Sequence, residues 1–593
     1  MSVDTIPARL FQQAKTRPSA PAYYVREGGV WKSTSWATYA AEVKQAAKAL
    51  VKLGFRPGQC TSILGQNRPE WCIFHVATMA VGGAPAGIYT TNSPEEVAYI
   101  VDHSESPVVL VENHDQWKKI DAQRENLPRL KKVVLMQGAG KVDDELVLTW
   151  EEFLALGEGI DDDEITQRLH ALEPSGLATL IYTSGTTGPP KGVMLSHSNV
   201  AKTAGTAASM TGMSASDWTL SYLPLSHIAE QMFTIHGPIT AGSRVYFSEG
   251  IQRLRENLQE VQPTVFFGVP RVWEKFYSAV STKLGAAEGA KKKLADWALG
   301  VGRRATAQRA RGGRVDDVEY QLAKKLIFDK VKPALGMSNA RICVSGAAPI
   351  SPEILEFFAG LDLAILEVYG QSEDCGPTTF NFPNQFRFGS VGTYIPEVDV
   401  RIADDGEILV KGPNVFLGYY KDKQATSETL ADGWLHSGDL GEFRDGFLYI
   451  TGRKKDILIT AGGKNIAPKN LESELKQHPA VGEAVVIGDR RPYLTALISL
   501  DVEALPTYCG ERGIDLATAH ENGRLRSDIQ DAVDKMNAKV ARVEQVKKFV
   551  ILPRPLSIET GELTPTMKVK RKIVNEKWAH LIDQMYAGHE SGD

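Results

Sequence analysis

Eleven residues from Tyr182 to Gly192, YTSGTTGPPKG, hold three glycines, four Ser/Thr hydroxyls and one lysine. Leu180 and Ile181 precede them, and Val193, Met194 and Leu195 follow, so the segment reads as strand, Gly-rich loop and strand. Glycine lets backbone N–H groups approach an anion closely, hydroxyls add short-range donors, and Lys191 adds a mobile positive charge. A polyphosphate suits such a loop. A Ser/Thr/Gly linker is the bland alternative on composition. The spacing is not that of GxxxxGK[ST], which sets glycine directly before lysine and opens a helix. Here Pro190 precedes Lys191, and the prolines argue against a helix start. A P-loop kinase or ATPase is therefore excluded.

A loop of this kind needs a sheet to carry it, and the surrounding pattern supplies one. Trp36 to Leu53 has helical periodicity with Gly54 as its stop, Thr61 to Leu64 reads as a strand, and Cys72 to Val81 as a helix. Further strands are expected at Val108–Val111, Val133–Met136, Thr219–Tyr222, Arg244–Phe247, Val265–Gly268, Arg341–Ser345 and Ala364–Val368. Strands alternating with helices imply an α/β core. Val398–Ile402 and Glu407–Val410 flank a DDG hairpin turn, and GRKKD at 452–456 reads as an interdomain joint. Beyond it come a helix at Pro468–Leu475, strands at Glu483–Ile487, Leu494–Leu500 and Phe549–Leu552, and a polar helical segment at Asp515–Arg542. That is the content of a small α+β domain.

Residues 276–340 stand apart. Lys291 to Lys332 carries twelve Lys/Arg against five Asp/Glu. Leu294, Trp297, Ala298 and Val301 mark one helix face, and Leu322, Leu326 and Ile327 suggest a second, so a helical hairpin with a basic outer face is expected. A solvated surface is the ordinary reading of that face. Anionic lipid headgroups or a polyphosphate tail are the alternative, giving peripheral membrane contact. The net charge of −5 over 593 residues gives no reason to expect nucleic acid. Five scattered cysteines without CxxC spacing point to a reducing, cytoplasmic setting, and no apolar leader or spanning helix is visible.

Several motifs end strands on polar residues or glycine, where ligands of α/β sheets gather. VYGQSE groups Tyr369, Gly370, Ser372 and Glu373, offering a ring to stack on a base, a hydroxyl for phosphate and a carboxylate for Mg²⁺. HSGDLG presents Asp439, where a carboxylate can accept ribose hydroxyls. Each motif alone also suits an ordinary surface turn, and Arg453 and Lys455 alone suit solvated charges.

Taken in order, YTSGTTGPPKG, YGQSE, GDLGE, GRKKD and LTPTMKVKR resemble the adenylate-forming superfamily from about Leu10 to Ile573. The resemblance implies a large N-terminal region (1–451) with two α/β subdomains and a smaller β-rich one. A hinge at 452–456 and a mobile small α+β domain (457–593) would follow. It implies ATP and CoA as co-substrates and Mg²⁺ on Glu373. Thr183, Ser184, Gly185, Thr186, Thr187, Gly188 and Lys191 would bind the β- and γ-phosphates. Gly346, Ala347 and Ala348 would line the adenine and acyl sites, Tyr369 and Gly370 would lie by adenine, and Ser372 would meet phosphate. Asp439 and Arg453 would bind ribose, Lys455 would be the hinge, and Lys568 the catalytic lysine. Many members have glycine before that lysine, where this chain has Met567. His227 would sit near the acyl carboxylate, and Gly462, Gly463 and Lys464 near the CoA channel.

VPRVWEKFY, SGAAPIS, GRKKDILITAGGKNIAPKNLE and RPYLTALISLD resemble the long-chain fatty acyl-CoA synthetases, including the bubblegum-like branch. A fatty acid, ATP and CoA are the partners this implies. Fatty acyl-AMP ligases, which serve a carrier protein, are the first alternative; their extra insertion has no obvious counterpart between Gly376 and Gly438. Synthetases for medium-chain or aromatic acids are the second. The acyl-pocket floor could come from Ala229, Gln231, Met232, Val265 or Gly268, and neither chain length nor oligomeric state is readable.

Overall fold

The computed structural model describes residues 4–183, 189–461, 464–564 and 567–587. Its centre is an eight-stranded mixed sheet. Cys60–Leu64, Ala84–Ile88, Val108–Val111 and Lys132–Leu135 run parallel to one another, and Leu177–Thr183 pairs parallel with Ala84–Ile88. These strands are almost wholly buried, as expected of strands covered on both faces by helices. Leu177–Thr183 then turns back antiparallel into Lys191–Ser196, with Thr183 opposite Lys191. Thr183 and Lys191, the two ends of the Gly-rich segment, thus lie side by side at the end of a hairpin, and Gly418–Tyr419 closes the edge beyond it.

A second body combines two sheets. Val265–Gly268, Ile342–Ser345 and Ile365–Tyr369 run parallel, continued by Thr379–Phe380 and Thr393–Tyr394. Beside them, Trp218–Ser221 and Arg244–Phe247 pair with the chain's first hairpin, Pro21–Glu27 and Val30–Ser35. A β-rich unit follows, in which Asp399–Ile402, Glu407–Lys411, Trp434–Arg444 and Phe447–Arg453 form an antiparallel sheet. The small C-terminal unit carries the three-stranded sheet Val481–Ile487, Leu494–Leu500 and Val546–Ile551, backed by Pro468–Leu475 and Gly523–Asn537. The expected fold class is therefore the observed one.

The cores divide as the sheets do. The largest apolar cluster ends at Ile450, and the clusters of the small unit begin at Leu458. Among the described residues, no apolar cluster spans the joint. Contacts across it are polar: Arg271 pairs with Asp501, Lys275 with Glu503, and Gln477 Nε2 donates to Ser351 Oγ at 3.1 Å.

The basic insert differs from expectation in its second helix face. Pro270–Gly285 and Gly289–Arg309 are helical, and the second arm runs from Val318 to Leu335 through a π-helical turn at Lys324–Phe328. That turn slips the register. Tyr320, Ala323 and Phe328 are buried in the insert's own cluster and Ile327 of the expected face packs against it, while Leu322 is 49% and Val318 85% exposed. The polar segment from Asp515 also splits, into a 3₁₀ turn at Leu516–Glu521 and a helix capped by Asn522. Among the described residues, no helix is long and apolar enough to cross a membrane.

Candidate active site

Strand ends bring the motifs together. Ile365–Tyr369 delivers Tyr369 at its last position, and the Trp434–Arg444 strand carries Asp439 opposite Arg453. The Tyr369 hydroxyl donates to Asp439 Oδ2 at 3.0 Å, and Arg453 Nε stands 3.5 Å from Asp439 Oδ1. Burial raises the Asp439 carboxyl above the usual range, while Arg453, the Tyr369 hydroxyl and Lys568 pull it back. A cation-rich surrounding is what a buried carboxylate needs to stay ionised.

The turn after Tyr369 is locked. A Cβ on Gly370 would lie 1.7 Å from Gly376 O, so only glycine fits that close approach. Asp374, fully buried and pushed up to about 8 by desolvation, accepts from Gln371 N–H at 2.8 Å and from the Thr378 hydroxyl. Between them Ser372 is buried, and Glu373 is half-buried. The Tyr419 hydroxyl donates to Glu373 Oε1 at 2.7 Å. Glu373 Oε2 carries no hydrogen bond among the described residues.

Of the Gly-rich loop, Thr183 and Lys191 lie at the two strand ends, where the Thr183 hydroxyl donates to Lys191 O at 3.5 Å. Ser184, Gly185, Thr186, Thr187 and Gly188 lie outside the described residues, as do Gly462 and Gly463. The Lys191 ammonium sits 4.9 Å from the Tyr419 ring centroid and 3.9 Å from Asp422 Oδ2. The loop's base is braced by Tyr182, whose hydroxyl meets His103 Nδ1 at 2.9 Å.

Lys568 reaches this cluster from the small unit. It follows a turn in which Thr564 N–H donates to Lys568 O at 2.8 Å and Lys568 N–H to Thr564 Oγ1 at 3.0 Å. Met567 takes a φ of 62°, the left-handed conformation that glycine adopts without strain. Lys568 is solvent-exposed, although many protein groups lie around its ammonium. Desolvation lowers its ammonium below the ordinary lysine range. Arg453 and Lys469 add to that, while Asp439 and Glu373 favour the charged form. Lys568 also acts on His227, which burial pushes down to about 4. The Ala229 N–H donates to His227 Nδ1 at 3.1 Å, so the neutral ring carries its proton on Nε2.

Tyr369, Asp439 and Arg453 are thus joined by direct contacts, and Lys568 lies within electrostatic reach of Asp439, Arg453, Glu373 and His227. Gly346, Ala347 and Ala348 form the turn after Ile342–Ser345; Ala347 has a φ of 69°, and a Cβ on Gly346 would meet Val368 at 2.6 Å. Lys464 is exposed at the base of the small unit's Leu458–Ile466 hairpin, and its recorded contacts do not join the cluster. Lys455 is exposed in the joint, next to Lys454, which is held by Asp405 at 2.6 Å and Glu407 at 3.0 Å. Two acyl-floor candidates serve packing: Gln231 Nε2 donates to Leu225 O at 2.9 Å, and Gly268 lies under the Trp273 indole. Tyr419 was not expected at the site. Only its place in a GYYK run hints at it, since the strand it forms is two residues long.

The chain belongs to the AMP-binding enzyme family, whose profile matches residues 10–420, with the AMP-binding enzyme C-terminal domain matching 455–590. Among similar proteins, long-chain-fatty-acid--CoA ligase ACSBG2 of Xenopus laevis is 38% identical, covering 95% of this chain and 81% of that protein. Long-chain-fatty-acid--CoA ligase FadD15 of Mycobacterium tuberculosis (strain ATCC 25618 / H37Rv) is 37% identical, covering 98% and 97%. The fold matches that of ATP-bound MatB from Rhodopseudomonas palustris, with a TM-score of 0.70 at 22% identity over 98% of this chain and 100% of the other. The anthranilate CoA ligase AuaEII in complex with anthranoyl-AMP also gives 0.70, at 21% identity over 97% of each.

Proposed function

We propose that this chain joins a long-chain fatty acid to CoA in two steps, through an acyl-adenylate made from ATP. The observation that carries the reading is the meeting of Lys568, from the small unit, with Glu373, Asp439, Arg453 and His227 of the large one. The substrate class comes from relatives at 37–38% identity that are named for that activity.

In the first step a carboxylate oxygen attacks the α-phosphorus of ATP, and pyrophosphate leaves. Negative charge grows where two anions meet, so fixed cations are the main requirement. Lys568 bridges the attacking carboxylate and the α-phosphate. Asp439 and Arg453 hold the ribose, Tyr369 and Gly370 lie by adenine, and Gly346, Ala347 and Ala348 line the adenine and acyl walls. The loop from Thr183 to Lys191 holds the departing pyrophosphate, with Ser372 beside it. Neutral His227 lies near the acyl carboxylate, where it adds no charge that would trap the substrate in the ground state. The residues fit Mg²⁺: a hard cation arriving with nucleotide phosphates needs one or two carboxylates, and Glu373 has one oxygen unclaimed among the described residues. Bound there, it would neutralise charge on the leaving group.

In the second step the small unit, 457–593, turns about Lys455 within the 452–456 joint. Lys568 withdraws, and Gly462, Gly463 and Lys464 line the path of the CoA thiol. The thiol sulfur attacks the acyl carbon and AMP leaves. A polar interface without a shared apolar core supports such a motion. The setting is cytoplasmic, in keeping with five free, buried cysteines. Lys291, Lys292, Lys293, Arg303, Lys324 and Lys325 of the basic insert are exposed, and an anionic membrane is the surface they would meet.

Removing one charge partner of a transition state costs about 100- to 1,000-fold in rate. Lys568→Ala should therefore abolish most pyrophosphate release while sparing thioester formation from supplied acyl-AMP. Undiminished adenylation in that variant would remove Lys568 from the mechanism. Pyrophosphate release across carboxylates from acetate to oleate, with and without CoA, tests the substrate class.

A further inference from the structure

We propose that Tyr419 is a positioning residue that locks Lys191 and Glu373 into a single phosphate- and metal-gripping unit. The inference rests on the roles given to those two residues above. Three observations carry it.

The first is backbone placement. Gly418–Tyr419 adds to the Lys191–Ser196 strand, with Tyr419 opposite Val193; Leu417 N–H donates to Met194 O at 2.9 Å and Tyr420 N–H to Gly192 O at 2.8 Å. The Tyr419 N–H itself donates to Thr426 Oγ1 at 2.8 Å. Gly418 has a φ of 130°, and a Cβ there would fall 2.6 Å from Thr426 Cγ2. The segment is thus fixed on both sides and has room for no side chain before the tyrosine.

The second is what the side chain touches. Its hydroxyl donates to Glu373 Oε1, and its ring lies 4.9 Å from the Lys191 ammonium. One phenol thereby spans a cation of the Gly-rich hairpin and a carboxylate of the turn after Ile365–Tyr369, two sheets that share no strand. The third is reinforcement. Phe416 packs edge-on against Tyr419 at 5.0 Å, and its N–H donates to Glu373 O at 2.8 Å. The same short segment therefore holds both the backbone and the carboxylate of Glu373. Burial and the Glu373 charge raise the phenol well above its ordinary range, so it stays a donor at working pH.

The physical consequence is directional. With Oε1 occupied by a fixed donor, Oε2 is the oxygen left to a cation, in one rotamer. The ring face meanwhile holds Lys191 by cation–π attraction over the same volume. A phenylalanine would keep the packing and the cation contact but lose the aim of the carboxylate.

The test is equilibrium binding of Mn²⁺ by electron paramagnetic resonance, in the presence of an α,β-methylene ATP analogue that does not turn over. Tyr419→Phe should weaken Mn²⁺ binding about tenfold, the loss of a hydrogen bond to a charged acceptor. Tyr419→Leu, which also removes the ring, should further weaken inorganic pyrophosphate binding by about threefold. Thioester formation from supplied acyl-AMP should stay within about twofold of wild type in the Phe variant, since that step uses neither Lys191 nor Glu373. Mn²⁺ binding within about twofold of wild type in Tyr419→Phe would overturn the proposal, and so would parallel loss of both readouts, which marks a mere structural strut. Glu373→Gln separates the two levels. If it leaves Mn²⁺ binding unchanged, the assignment of Glu373 fails first; if it weakens binding and Tyr419→Phe does not, only the role of Tyr419 fails.

Discussion

The two walls of the cleft are built on opposite terms. The wall after Tyr369 is closed on itself: Gly370 tolerates no side chain, Asp374 is buried under two donors, and Tyr419 holds Glu373 from outside. The wall that bears Lys568 is a turn held by its own Thr564, on a unit that meets the rest through a few polar contacts. Among the described residues, no hydrogen bond fixes the Lys568 ammonium. A stiff wall suits groups that need not move while the small unit turns, whereas a loosely docked wall suits a charge that would withdraw after the first proposed half-reaction.

The contrast can be broken at the joint. Lys455→Pro fixes a backbone angle in the 3₁₀ turn Lys454–Asp456, and should slow thioester formation on the order of 100-fold while leaving adenylation within about twofold. Separate assays of pyrophosphate release and of acyl-AMP consumption decide it; equal losses in both would mean the joint does not turn. A smaller effect is expected at the docking contact. Asp501→Asn keeps the acceptor that Oδ1 offers to the Glu503 and Ala504 N–H groups but removes the charge that meets Arg271. Adenylation should fall about tenfold and thioester formation should not, because only one arrangement makes the pair. Added salt should mimic the substitution.

The smallest effect is on the stiff body itself. Desolvation holds Glu367 up to about 8 against an ordinary 4.5, although its carboxyl accepts from Gly389 N–H at 2.9 Å. The folded state keeps that proton after the unfolded chain has lost it, so the group's stabilisation fades as pH rises from 4.5 to about 8. Buried His227 and His197, each lowered to about 4 from 6.5, act the other way and cost stability as pH falls from 6.5 towards 4. Above 6.5 the acid slope remains, shared by Glu367 with Asp374 and Glu230, which burial also raises to about 8. The decline of Tm from pH 6.5 to 8 should shrink by about 2 °C in Glu367→Gln. An unchanged decline would place the titration elsewhere.

Much of the frame was legible because it rests on local apolar runs. Arg244–Phe247, Val265–Gly268, Leu494–Leu500 and Pro468–Leu475 fall where periodicity and flanking proline put them. The second face of the insert was not: Tyr320 and Ala323 are buried where Leu322 was expected, and the π-helical turn after them has no local sign in the sequence. The joining of the Pro21–Glu27 hairpin to Arg244–Phe247 is likewise a long-range pairing without a local sign. At the site, Glu373 and Asp439 were visible as chemistry in motifs, and Lys568 only through the family resemblance. Tyr419 was not, because its meaning depends on Glu373, 46 residues away, and on Lys191 across a strand pair.

A face that is docked for one half-reaction and bare for the next must be wettable in both states. Had Arg271, Lys275, Asp501 and Glu503 been an apolar patch, every proposed turnover would have displayed a sticky surface in the crowded company of fatty acids. On the proposed cycle the charged contacts would act as a release coating, letting the small unit part from the large one many times without either being caught by its own substrate.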